Sequence, residues 1–230
     1  MIKRDKYGYI VDTTYEDGGD SANRAGLTSL FGFYNPPLTN YVKDGICVRH
    51  PHQVPWNNPK NFTHDQLIPL VAGLWKQKHY QTVRHIMWKH IMRFGFCQNF
   101  ERDYIGSKKY PWPHSFINDR GVYEKRHFDF ADPLRPDSFW HLVLCGRAWY
   151  FYWFAPIGYA WLLLSIFIYC WTNRDDDEGQ IISQCVVAGK PFVYIYKKLR
   201  TNVWDRLYQY WHVRRDQREI ADLVWKGINQ

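Results

Sequence analysis

The chain has 230 residues, a net charge of +8, a pI of about 9.2 and an aromatic share of 19%, enough length to bury a core within one domain. Its five cysteines are odd in number and form no Cys-x-x-Cys pair, which excludes a disulfide framework and a cysteine-rich zinc site. No Walker A loop, Gly-x-Ser-x-Gly elbow, His-Glu-x-x-His, EF-hand or dinucleotide fingerprint occurs, so the commonest nucleotide, protease and lipase classes drop out.

Met1-Ile2-Lys3-Arg4-Asp5 carries no apolar h-region, and with the odd cysteine count this predicts a cytoplasmic protein. The first chemical cluster is Asp17-Gly18-Gly19-Asp20-Ser21. Two glycines between acids permit a tight turn with positive φ that would aim both carboxylates the same way. Arg24, one turn on, is placed to pair with Asp20 or to hold an anionic group of a substrate. The next segment, Arg49-His50-Pro51-His52 and Trp56-Asn57-Asn58-Pro59, reads as a Pro-bracketed loop dense in hydrogen-bonding groups. Trp56 would stack on a sugar ring, and Asn57 and Asn58 would bond hydroxyls.

Thr63-His64-Asp65-Gln66 matches a capping box, with Phe62 and Leu67 as a hydrophobic staple. Apolar residues at Leu67, Leu70, Val71 and Leu74, then at Val83, Ile86, Met87 and Ile91, predict a helical hairpin over 63–94, kinked at Pro69. Pro111-Trp112-Pro113 reads as a loop with a second stacking indole. A second hairpin is predicted over 137–172, capped by Asp137 or Ser138 and turning at Ala155-Pro156-Ile157-Gly158. Residues 148–171 carry no charge, which also makes them a transmembrane candidate; aromatics spread through the segment and the central Pro and Gly favour the buried hairpin. A further helix starts near Asp175-Asp176-Asp177-Glu178, and later ones cover about 202–213 and 215–228. Cys47–His50 and Phe192–Tyr196 are the strand candidates.

Four polar clusters, Asp17–Ser21, Thr63–Gln66, Asp132 with Asp137-Ser138, and Asp175–Glu178 with Gln180, share a position: each precedes or opens an apolar helix. Single Asp, Ser or Thr residues there are ordinary N-caps. Several acids at most of these starts go beyond capping. If the helices pack with these ends together, carboxylates converge on one cavity, where they can serve as acid and base in glycoside cleavage. This reading assigns Asp20, Asp65 and Asp177 as working carboxylates. Arg24, Arg49, His50, Trp56, Asn57, Asn58, His64, Gln66 and Trp112 would bind substrate, with no metal or other cofactor. The alternative is a divalent metal at Asp175, Asp176 and Glu178.

Helical hairpins with acidic, aromatic starts at Asp17–Ser21, Trp56, Thr63–Gln66 and Asp175–Gln180 resemble the α/α-toroid layout of many glycoside hydrolases and polysaccharide lyases. The resemblance covers about half the chain at the level of layout, and matches no family signature. It implies a mainly α single domain over 1–230, a reduced toroid-like array of packed hairpins acting on a glycan. The short run Asp175–Glu178 also resembles the magnesium motif of class I terpene synthases, without that family's second motif. Two other readings stand beside the enzyme. One is a membrane-associated or assembly protein, a homo-oligomer or part of a virus or large complex, using 148–171 and the surplus aromatics. The other is a nucleic-acid binder using the basic–aromatic stripes at Tyr196–Arg200 and Trp204–Arg218.

Overall fold

The computed structural model describes residues 2–11, 17–33, 35–54, 56–59, 62, 64–94, 155–172, 178–200 and 226. Among them six α-helices carry the fold: α1 (Ser21–Leu30), α2 (His64–Lys76), α3 (Tyr80–Phe94), α4 (Ala155–Thr172), α5 (Glu178–Ala188) and α6 (Lys190–Arg200). Between α1 and α2 lie a 3-10 turn, Leu38–Tyr41, and a small antiparallel hairpin of β1 (Val42–Lys43) and β2 (Ile46–Cys47). Asp44 and Gly45 link the two strands with φ of 49° and 73°, the paired positive values that a two-residue Asp-Gly turn requires. The described residues are therefore mainly helical, as the periodicity predicts.

The predicted hairpin over 63–94 is present as α2 and α3, joined by Gln77, Lys78 and His79. Lys78 turns the chain with φ 65°. Pro69 does not end α2, which runs continuously from His64 to Lys76. Its place is against α1. A Cβ added to Gly26 would lie 2.3 Å from the Pro69 carbonyl carbon, and one added to Gly73 would lie 2.8 Å from the Gly26 carbonyl oxygen. The two helices thus cross backbone to backbone, which only glycine allows at those points. Around the crossing, Ala22 and Ala25 of α1 pack with Leu67, Ile68 and Val71 of α2, and Ile181, Ile182 and Cys185 of α5 close the core. Leu162 and Ile166 bring α4 onto the same core.

Two sequence expectations are corrected. Ala155–Gly158 is not a hairpin turn but the first turn of α4. Proline fits there because the first amides of a helix have no intrahelical acceptor to lose. Phe192–Tyr196 is not a strand but part of α6, where Tyr196 is buried, Tyr194 exposed and the spacing helical. Of the other candidate, only Cys47 belongs to a strand. Among the described residues no helix is long and apolar enough to cross a membrane. The predicted elements over 137–154, 202–213 and 215–228 lie outside the described residues, apart from helical Lys226.

Candidate functional site at converging helix starts

The start of α1 is unusual in how its amides are satisfied. Asp20 occupies the N-cap position, yet its side chain makes no capping bond. Other groups do the capping. Ser21 N donates to Gly18 O at 3.1 Å, Ala22 N to Arg49 O at 3.0 Å, and Asn23 N to Gln66 Oε1 at 2.9 Å. The last two partners are distant in sequence, so the helix is capped by tertiary contacts. Asp20 is thereby released from the role an N-terminal aspartate ordinarily has.

The released carboxylate meets one hydrogen-bond donor and two guanidinium groups at ion-pair distance. Gln66 Nε2 donates to Asp20 Oδ1 at 3.0 Å. Arg24 lies 3.6 Å from Oδ2 and Arg49 lies 3.8 Å from Oδ1. The guanidinium carriers are buried, whereas the Asp20 side chain is 35% exposed. Each arginine is also anchored on backbone: Arg49 donates to Gly19 O at 2.8 Å, and Arg24 to Val11 O at 3.4 Å. Two buried guanidinium groups therefore face one half-open carboxylate. The Gln66 amide spans α1 and α2, while Thr63, the other half of the expected capping box, lies outside the described residues.

His50 supports this arrangement from beneath. Its ring is fully buried, and Nδ1 accepts the amides of His52 at 3.1 Å and Gln53 at 3.0 Å. Nδ1 is thus unprotonated, which places the proton of a neutral ring on Nε2, 3.1 Å from Asp5 Oδ2. Burial holds the His50 pKa below the ordinary histidine range, opposed by the charge of Asp5. Nδ1 is engaged by two amides, and Nε2 is buried at ion-pair distance from Asp5 Oδ2 without an aligned hydrogen bond, so His50 positions the loop. Asp5 was not singled out from the sequence. Its Oδ1 accepts the amides of Tyr7 and Tyr9, each at 2.9 Å, a local turn that Asp5-Lys6-Tyr7-Gly8 encodes.

The glycines before α1 have a different purpose from the one expected. Neither Gly18 nor Gly19 has positive φ. Gly18 is required because a Cβ there would lie 2.5 Å from the His50 ring. Asp17 accepts the Gly19 amide at 2.8 Å.

Trp56 is likewise repositioned. It is 4% exposed, and the Arg49 guanidinium lies 5.3 Å over its ring. It offers no open face to a sugar and instead holds Arg49 in place. Asn57 and Asn58 are half-buried in the turn that follows, where Asn57 N donates to Gln53 O at 2.7 Å. His64 and Asp65 occupy the first turn of α2, immediately before Gln66. Glu178 opens α5, whose Gly179 packs against Asn23 and Leu27 of α1. The starts of α1, α2 and α5 thus lie near one another, and the fourth cluster, Asp132 with Asp137-Ser138, lies outside the described residues. Trp112, Asp175, Asp176 and Asp177 lie outside the described residues. Among the described residues no group of three His, Cys, Asp or Glu is placed to hold a metal.

No family model, curated protein or solved structure matches the chain. The functional reading therefore rests on the geometry of this site.

Proposed function

We propose that the chain is a glycan-active enzyme of hydrolase or lyase type, with Asp20 as a working carboxylate and an acidic sugar as its substrate class. The observation that supports it is the release of Asp20 from capping while buried groups fix its position. A carboxylate needed only as a cap would bond the amides of its own helix. Here those amides are served by Arg49 O and Gln66 Oε1, and the carboxylate faces solvent. Fixed donors around an accessible carboxylate are the preorganised arrangement that acid–base chemistry requires. Arg24 and Arg49 beside the carboxylate would suit a substrate that brings its own negative charge, such as a uronic acid. Asp65 and Asp177 complete the reading as partner carboxylates on α2 and just ahead of α5. The overall layout would be a reduced α/α-toroid.

The test is a panel of neutral oligosaccharides and polyuronates incubated with the full chain. Reducing ends report hydrolysis, and ultraviolet absorbance of an unsaturated product reports elimination. The reading expects turnover of a polyuronate and little of its neutral counterpart. A panel left intact and unbound would overturn it.

A further inference from the structure

The loop after Arg49 is fastened to the Asp20 site through one ring. His50 Nδ1 holds the amides of His52 and Gln53, and His50 N donates to Trp56 O at 3.1 Å. The ring also lies against the turn before α1, since a Cβ added to Gly18 would be 2.5 Å from His50 Cδ2. Arg49 bridges the same two segments. Its carbonyl accepts the Ala22 amide, its guanidinium donates to Gly19 O and lies 3.8 Å from Asp20 Oδ1, and the Trp56 ring covers it. Among the described residues three titratable groups face the His50 ring. Asp5 Oδ2 is 3.1 Å from Nε2, the Tyr9 ring is 5.1 Å away and the His52 ring 6.4 Å. The turn before α1 meets it with Gly18, and Asp17 beside that glycine is bonded to the Gly19 amide. Burial first, and then His52, oppose a second proton on the ring, while the Asp5 carboxylate supports it.

We propose that His50 is the positioning residue for Arg49 and a proton-operated latch on the Asp20 site, an inference that rests on the reading of that site as functional. The neutral ring carries its proton on Nε2, so a second proton goes to Nδ1, the atom that holds the two amides. An imidazolium Nδ1–H cannot accept them, and the loop must move away from the ring. That movement lifts Trp56 from the Arg49 guanidinium and draws Arg49 O away from the Ala22 amide. Asp20 then keeps Gln66 and Arg24 but loses Arg49. The helical core stays folded through this step, because Ala22, Ala25, Leu67, Ile68 and Ile181 carry no ionisable side chain. The site is therefore assembled at neutral pH and taken apart by mild acid.

Nuclear magnetic resonance of the labelled full chain tests this between pH 8 and pH 5, with no ligand added. The Ala22 amide and the Arg49 Nε–H signal should shift together with the His50 ring, at one midpoint below the ordinary histidine value of about 6.5. His50→Asn places an oxygen where Nδ1 stands and does not titrate, so the Ala22 and Arg49 signals should hold still in that variant. On a polyuronate, kcat/KM of the wild type should fall about tenfold per pH unit below the same midpoint, and less steeply in His50→Asn. A His50 ring that stays neutral down to pH 5 overturns the proposal. So do Ala22 and Arg49 signals that ignore the His50 titration, or that titrate equally in His50→Asn. Loss of far-ultraviolet circular dichroism at that midpoint also overturns it, since the event would then be global unfolding. If His50→Asn does not fold, the wild-type midpoints decide alone, and midpoints that differ between Arg49 and His50 overturn the latch. A chain that turns over no polyuronate sinks the glycan reading and leaves the spectra to judge this one.

Discussion

His50 can take a second proton only by expelling the two amides that now donate to Nδ1. The folded protein therefore binds that proton more weakly than the unfolded chain, as the depressed pKa indicates. The sign of the pH dependence follows. The His50 contribution to stability is complete above the unfolded histidine value, about 6.5, and is lost as pH falls below it through the folded value. Melting temperatures of the wild type should fall between pH 7.5 and pH 5, and His50→Asn should flatten that slope. An unchanged slope in the variant would contradict the assignment. The residue types of the site were legible in the sequence: Asp20, Arg24, Arg49 and Gln66 do meet. Their environments were not. Trp56 has the composition of a ligand-stacking loop residue, yet Arg49 covers its ring, a contact that no local spacing reveals. Asp5 escaped notice because its importance comes from His50, far along the chain.

The crossing of α1 and α2 sets the distance between Asp20 and Gln66. Gly26 and Gly73 make that crossing possible. Gly26→Ala would drive a methyl group into the backbone of α2, where no side-chain rotation relieves it. A loss of about 3 kcal/mol is expected in denaturant unfolding, more than overpacking against a side chain. An Ala variant as stable as the wild type would mean the helices are farther apart than described. Gln66→Ala removes the acceptor for Asn23 N and the donor to Asp20 together. It should cost about 2 kcal/mol, the loss of a helix cap and a buried hydrogen bond. Periodicity foretold α2 and α3 because their apolar positions fall on one face. It failed at 155–158, because Pro and Gly together suit a turn between helices and the first turn of a helix alike. It failed at 192–196, where aromatic and β-branched residues resemble a strand over so short a run.

At the scale of the molecule, the small residues of α1 let three helix starts gather at one end of the core. The aromatic surplus divides between interior and surface: Tyr9, Tyr41 and Trp56 are buried, while Tyr194 and Phe167 face outward. Buried Tyr41 bonds Ser21 at 2.7 Å, tying the 3-10 turn to α1, and burial pushes its phenol pKa up. The account turns on Asp20 being held for chemistry and not for folding. Its ion pairs are longer than hydrogen bonds and partly open to water, and asparagine can still accept from Gln66. Asp20→Asn should therefore lose no more than about 1 kcal/mol of stability. The measurement to make is the turnover rate of that folded variant on a polyuronate that the wild type cleaves. A loss of about 100-fold or more is the predicted result. Wild-type turnover in the variant would contradict the account and leave Asp20 as one more polar group at the surface.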